Sequence, residues 1–417
     1  PASNSEAAFR MPNPIILIEP LGVQKGIRIM REHLLFTPGP VNIVRNVKKA
    51  LCADDIGHRE VEFDNLLESV ENKLLKVFQL KDGAGYRAVV ISGSGTAANE
   101  AMLSSVVGDQ HVLILANGEF GERLHATSKI HNKNTHFLQI PWGDTFDLQS
   151  VEAYIKRHRI RVVAMVHHET SSGMLNPLKD IGALSKANGA IFIVDCVSSA
   201  GAEVIDLESC NISFCSSSSS KAIGSHPGLS FVIGRTREFE KLRFLPAKTT
   251  YLNLATFYRF LKTRSQTPNT PAVPLFFALE QSLINILQEG VSKRFAALRH
   301  KAQLLRDGMS RLGLQFLIDQ KDMCSVLTAV HLPAHIDITL FRQKLRERTI
   351  IIYEGKGCFQ NRVFQVGNIG ELSHDDIDYF LESLRGVLQE FEAPARRPIL
   401  DFDPLNAVIP PAAIAAV

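Results

Sequence analysis

The sequence has no CxxC pair, and its six cysteines (Cys52, Cys196, Cys210, Cys215, Cys324 and Cys358) form no Cys/His cluster with zinc-ligand spacing. No cysteine-based metal centre is therefore expected. Several of the six sit inside apolar runs, as reduced core thiols of a cytosolic protein do. There is little excess of charge: a net +3 over 417 residues gives no reason to expect a nucleic-acid or membrane partner. The apolar run near the start, PNPIILIEPLG, is too short and too broken by proline for a signal peptide or a membrane span. It is expected to be part of an N-terminal arm covering residues 1–33. No internal repeat is present. What remains, 45 % hydrophobic and 21 % charged residues, is an ordinary globular composition on a chain long enough for two domains.

From residue 86 onward, short apolar runs alternate with helical patterns. The runs are YRAVVIS (86–92), HVLILA (111–116), THFLQIP (135–141), RVVAMVHH (161–168), AIFIVDC (190–196), ISFCSSS (212–218) and LSFVIG (229–234). Near-continuous β-branched runs suit strands buried on both faces. Between them lie segments such as NPLKDIGALSKANG, with Pro near the start and Gly at the end of a helical apolar spacing. This alternation predicts an α/β large domain, residues 34–290, with a mostly parallel sheet. After Pro274 two long amphipathic helices appear. They are followed by strand-like CSVLTAVHL, helix DITLFRQKLRER, strand TIIIYEG and a last helix capped by Ser373. A smaller α+β domain is expected over 291–394, then a Pro/Ala-rich tail over 395–417.

In an open α/β sheet, ligands bind beyond the carboxyl ends of the strands. Gly93-Ser94-Gly95-Thr96 follows the first run and opens a helix, so backbone N–H groups and hydroxyls there suit an anion. The same glycines loosely fit a dinucleotide fingerprint, but no acidic residue ends HVLILA to hold a ribose, which argues against NAD. Phe120 stands between two glycines after the second run, either as a plug for the sheet edge or as a platform for a flat ring. Hydroxyl-rich Thr170-Ser171-Ser172 follows the fourth run. Asp195 ends the fifth, as a helix cap or as the partner of a buried cation. The sixth runs into five serines, Ser216 to Ser220, and then Lys221. A serine run of this kind reads as a linker elsewhere, but not between two buried strands.

Together these features offer an anion cradle, an aromatic platform, a hydroxyl, a carboxylate and a lysine at one sheet edge. Pyridoxal 5′-phosphate, with its phosphate, flat ring, phenolic oxygen, pyridine nitrogen and aldehyde, would use all five. The carboxylate keeps the ring nitrogen protonated. The lysine must be partly desolvated for its amine to be unprotonated near neutral pH. The serines then narrow a buried strand end so that a flat ring can lie against it.

The stretches LLFTPGP, SGSGTAANEA, NGEFGERL, MVHHETSSGMLNP, VDCVSS, SSSSSKAIGSHPG, TPNTPAVP and FQVGNIGEL occur in this order between residues 34 and 372. The sequence thereby resembles the class V pyridoxal-phosphate aminotransferases over roughly residues 34–392, most of all the 2-aminoethylphosphonate–pyruvate transaminases. The resemblance implies the fold-type I transferase architecture. It makes Lys221 the residue that carries the cofactor as an internal aldimine and shuttles the proton, and puts Asp195 on the ring nitrogen. It places Phe120 against the ring, Thr170 on the phenolic oxygen, and Ser94, Gly95, Thr96 and Ser220 around the phosphate. Thr270 matches a residue that reaches the phosphate of a neighbouring subunit's cofactor, so a cytoplasmic homodimer with shared active sites is implied.

One departure stands out. The resembled enzymes place an arginine just before Gly-Asn-Ile-Gly, where it grips the substrate's anionic group. This sequence has Gln365 there. Losing such a charge pair in a half-buried site costs on the order of 2–5 kcal/mol. Either Arg362, Lys356 or Arg59 supplies the charge from another direction, or the substrate carries no anion at that point. The expected activity is transamination of a small amine, amino acid or aminophosphonate. The alternative is a pyridoxal-phosphate lyase, or a β/γ-substitution or carbon–carbon bond-forming enzyme of a specialised pathway.

Overall fold

The computed structural model describes residues 33–392. The expected arm, His33 apart, and the expected tail lie outside the described residues. Seven strands make the principal sheet: β1 (Tyr86–Ser92), β2 (Val112–Ala116), β3 (Thr135–Gln139), β4 (Val162–Val166), β5 (Ile191–Asp195), β6 (Ile212–Ser218) and β7 (Leu229–Arg235). Each coincides with one of the seven apolar runs. They lie in the order β1-β7-β6-β5-β4-β2-β3. Only β7 runs against the rest, so the other six bring their carboxyl ends to one edge.

The reason is visible in burial. Every residue of β2 and β4 is buried, which requires helices on both faces, whereas edge strand β3 is half-exposed throughout. Helices Gly95–Val106, Glu119–His131 and Leu178–Ala187 leave the ends of β1, β2 and the loop after β4, and return the chain to the opposite edge.

A second sheet follows helices Val273–Glu289 and Val291–Arg311. Its strands β8 (Leu327–His331), β9 (Tyr353–Glu354) and β10 (Val363–Gly367) are antiparallel, in the order β8-β10-β9. The stretch TIIIYEG, expected as one strand, is two. Ile350–Ile351 pairs in parallel with Leu34–Leu35, whereas Tyr353–Glu354 pairs with β10, and buried Ile352 marks the crossing between the two sheets. The segment at Leu34 therefore belongs by packing to the C-terminal part. Leu34 and Phe36 join Phe341, Phe364 and Phe380 in one apolar cluster, with the Phe36 and Phe380 rings stacked 4.5 Å apart. Ser373 caps the last helix as expected: its Oγ accepts from Asp376 N at 3.1 Å, and Asp376 Oδ2 accepts from Ser373 N at 2.9 Å. Among the described residues, no helix is long and apolar enough to cross a membrane.

Helix Val61–Val77 is tied to β1 through buried Glu71. Its carboxylate takes Arg87 Nε and Nη2 at 2.6 and 2.9 Å, and the backbone N–H of Ala88 at 3.0 Å. Removing the carboxylate leaves a guanidinium and an amide without their acceptor. Glu71→Ala is expected to lower stability by about 3–5 kcal/mol, read as a shift of the urea unfolding midpoint at unchanged slope.

Candidate active site

The carboxyl ends of β1, β2, β4, β5 and β6 converge on one cleft. Its lining includes Gly95 and Thr96 from the start of helix Gly95–Val106, Phe120, Thr170, Asp195 and Lys221. Six of the nine residues expected around a cofactor are thus brought together. Ser94 is the exposed N-cap of that helix and its side chain makes no capping bond; the N–H of Ala97 donates to Ser94 O at 2.8 Å, and the N–H groups of Gly95 and Thr96 before it are available to another acceptor. Ser220 lies at the end of the serine run, its Oγ 3.3 Å from that of Ser218. Thr270 is exposed on a separate segment and does not line the cleft.

Asp195 is the centre of the polar network. Its Oδ1 accepts from Val197 N at 2.8 Å and its Oδ2 from Asn99 Nδ2 at 2.6 Å. Asn99 Oδ1 in turn accepts from Ser216 Oγ. Burial pushes the carboxyl's proton affinity up, opposed by these bonds and by the charges of Arg123 and Lys221. Asp195 caps the turn with one oxygen and lines the same cleft as Lys221.

Ser216 to Ser218 are fully inside the sheet, paired with Val232, Phe231 and Ser230 of β7. Each hydroxyl has a partner: Ser216 reaches Asn99, Ser217 donates to Cys196 O at 3.3 Å, and Ser218 meets Ser220. Their small size has a steric purpose. A Cβ added to Gly95 would lie 2.8 Å from the Val197 methyls and 3.4 Å from Ser218 Cβ. The helix N-terminus therefore rests almost directly on β6, and larger side chains there would lift it away.

Lys221 is largely buried. Its Nζ donates to Pro38 O at 2.7 Å, and Gly39 at φ +129° passes so close that a Cβ would sit 2.8 Å from Nζ. Burial lowers its pKa to about 8. The charges of Lys356 and Arg123 act in the same direction, while Asp195 opposes them.

The Phe120 loop is held by Glu169, which is completely buried. Glu169 accepts from the N–H groups of Phe120, Gly121 and Ser171 and from Ser171 Oγ at 3.3, 3.1, 3.2 and 2.6 Å. Two cations flank the ring, Arg123 at 5.1 Å and Lys356 at 5.2 Å from its centroid. Arg123 also donates to Thr96 Oγ1 at 3.0 Å, and Lys356 pairs with Glu119 at 3.2 Å. Thr170 donates to Ser198 Oγ at 2.7 Å.

Gln365 is buried in β10, and its Nε2 is engaged with the carbonyls of Thr170 and Ser171 at 2.7 and 3.2 Å. It ties the second sheet to the Thr170 loop. Of the three cations considered as substitutes for an arginine, Lys356 is not itself in the lining but stands 5.2 Å from the ring centroid of Phe120, which is. Arg362 is exposed before β10 and is absent from the lining. Arg59 is engaged with Gln266 and the carbonyls of Thr267 and Pro268.

Sequence reasoning missed Asn99, Arg123, Ser198 and His168. Asn99 had a signal: it lies one helical turn after Gly95, on the same face. Arg123, three residues after Phe120, had one as well.

The residues present suit pyridoxal 5′-phosphate. The uncapped helix start offers N–H donors to a phosphate, Asp195 offers a buried carboxylate to a ring nitrogen, and Lys221 offers a desolvated amine to an aldehyde. Fold and cleft together define a pyridoxal-phosphate-dependent aminotransferase. The chain belongs to the class-V aminotransferase family, whose pattern matches residues 46–370. It is 32 % identical to the 2-aminoethylphosphonate–pyruvate transaminase of Klebsiella pneumoniae, over 86 % of this chain and 98 % of that one. It is 30 % identical to an uncharacterized aminotransferase of Methanocaldococcus jannaschii, over 86 % and 93 %. Its fold matches alanine–glyoxylate aminotransferase from Nostoc sp. with a TM-score of 0.81 at 28 % identity, covering 89 % of this chain and 98 % of that one. Pyridoxamine–pyruvate aminotransferase from Mesorhizobium loti gives 0.81 at 26 % identity, covering 88 % and 94 %.

The lowered pKa of Lys221 sets a pH dependence. An unfolded lysine titrates at 10.5, the folded one at about 8. Between those values the folded apoprotein binds fewer protons than the unfolded chain, so this group's contribution makes stability rise with pH across that window and not below it. Only the free amine can attack an aldehyde. The rate of pyridoxal-phosphate uptake, followed by absorbance, is therefore expected to climb with pH and level off above about 8. Lys356→Ala removes a nearby positive charge and should move that midpoint upward.

Proposed function

We propose that this enzyme transfers an amino group between a small amine, amino acid or aminophosphonate and a keto acid, with Lys221 as the residue that binds the cofactor. The observation that carries this is the desolvated Lys221 amine in the same cleft as the buried Asp195 carboxylate. The named substrates of the Klebsiella relative, 2-aminoethylphosphonate and pyruvate, support the substrate class. The enzyme is a homodimer of the cytoplasm in this proposal. Thr270, exposed and absent from the lining of its own chain's cleft, would serve the cofactor phosphate of the neighbouring copy. Two of the three apolar clusters, one over residues 63–286 and one of Leu34, Phe36 and residues 305–388, support a division near residue 290 into a cofactor-binding body and a smaller C-terminal one, with the third cluster joining them across it.

Bound pyridoxal 5′-phosphate supplies a reactive aldehyde carbon and a ring that accepts electrons. The protein supplies the rest. Ser94, Gly95, Thr96 and Ser220 would hold the phosphate. Phe120, fixed by Glu169, would pack on the ring. Asp195, held by Asn99 and Val197, would keep the ring nitrogen protonated. Thr170, with its partner Ser198, would stand at the ring hydroxyl. Lys221 Nζ would take the proton from the substrate carbon bearing nitrogen and hold it for return, and the Pro38 carbonyl would orient that amine. Gln365 cannot neutralise a substrate anion, because an amide carries no charge, and its N–H groups are in any case donated to the Thr170 loop. Lys356, with Arg123 on the other approach to Phe120, takes that role.

Borohydride reduction of the cofactor-loaded protein and peptide mapping should label Lys221; label on another lysine refutes the assignment. Lys221→Ala should abolish turnover. Asp195→Asn should retain cofactor yet lose roughly a hundredfold in rate, about 3 kcal/mol in the barrier. Lys356→Ala should raise KM for the keto acid while Arg362→Ala leaves it unchanged; the reverse pattern returns the role to Arg362. Mixing the enzyme with an amine donor alone tests the reaction type. A pyridoxamine-phosphate spectrum marks transamination, and fragment release without it marks a lyase or substitution reaction.

A further inference from the structure

One buried polar atom of the cleft has no partner. His168 follows β4 by two residues, is 2 % exposed, and lines the cleft. Its Nδ1 lies 3.2 Å from Ser198 O. A carbonyl only accepts, so Nδ1 carries the hydrogen and Nε2 carries the lone pair. Nε2 is buried and has no hydrogen-bond partner among the described residues. Burial also holds the ring neutral, with a pKa near 4. An acceptor so placed is costly unless something donates to it.

The neighbours of His168 say which edge of a ligand it meets. Thr170 Oγ1 donates to Ser198 Oγ, and Ser198 O accepts from His168, so the three residues form one small cluster. Asp195 and Lys221, the partners assigned to the ring nitrogen and the aldehyde, lie outside it, as does the uncapped helix start assigned to the phosphate. Of the polar groups on the cofactor, the ring hydroxyl alone is left for this cluster, and it is an O–H donor.

We propose that His168 is a cofactor-binding residue whose Nε2 accepts a hydrogen bond from the ring hydroxyl of the bound pyridoxal phosphate and favours its protonated form. It rests on the assignment of Thr170 to that hydroxyl made above. His168 is then a further determinant of cofactor binding and of the cofactor's electronic state, distinct from Lys221 and Asp195.

The test uses two substitutions that separate the nitrogens. His168→Asn keeps a donor near the position of Nδ1 and loses the Nε2 acceptor. His168→Gln places an amide oxygen near Nε2. Dissociation constants are measured by fluorescence for pyridoxine 5′-phosphate and for its analogue without the ring hydroxyl. Wild-type protein and His168→Gln should bind the hydroxylated ligand more tightly by on the order of tenfold, and His168→Asn should lose most of that preference. In the pyridoxal-phosphate-loaded proteins, His168→Asn should also shift absorbance from the shorter-wavelength band of the protonated hydroxyl to the longer-wavelength one. Equal preference in wild type and His168→Asn, or no preference in wild type, overturns the proposal. Borohydride labelling of Lys221 in the same preparations reports separately on the function, so its failure is distinguishable from that of His168. Lost ligand binding by both variants with normal thermal unfolding would place His168 as a support of the loop and overturn the hydroxyl contact.

Discussion

A carboxylate buried at the end of a strand must be met by donors or given up to a proton, and much of the site follows from how Asp195 is met. One oxygen takes the backbone N–H of Val197, which bends the chain after β5 across the cleft floor. The other takes Asn99, which fixes the register of helix Gly95–Val106 over the sheet. Asn99 in turn requires Ser216, so β6 must be narrow where the helix crosses it. The start of helix Gly95–Val106, Asp195 and the serine strand are therefore one hydrogen-bonded unit.

Glu169 does the same for the opposite wall. Its burial costs energy, and four bonds to Phe120, Gly121 and Ser171 offset that cost. A Cβ on Gly118 would lie 2.3 Å from Glu169 Cγ, so the glycine before the aromatic loop is dictated by the carboxylate behind it. Phe120 is positioned by a side chain from the next loop along the edge, not by its own helix.

The principal sheet was legible because burial on both faces leaves long apolar runs whose ends are sharp. The cofactor chemistry was legible because residue types that are rare at strand ends recur at one edge. What the sequence hid lies across chain crossings. Leu34–Leu35 is a strand only because Ile350–Ile351 lies beside it. TIIIYEG looks continuous because its apolar residues serve two different sheets. Gln365 looked like a substrate residue since an arginine is expected in that place, yet its amide is committed to two carbonyls nearly 200 positions earlier in the chain. Arg362 looked near in sequence, but side chains alternate along a strand, so three positions before Gln365 it falls on the opposite face, and it is exposed.

The Gln365 amide joins β10 to the carbonyls of the loop that carries Thr170, and the same strand pairs with β9 just before Lys356. The second sheet therefore meets the cleft at two points: the Gln365 amide holds the Thr170 loop, and the segment after β9 carries Lys356 to the Phe120 ring. The wall of the cleft is thus written in two distant parts of the chain, and a substitution in β10 reaches the Thr170 loop without touching its sequence.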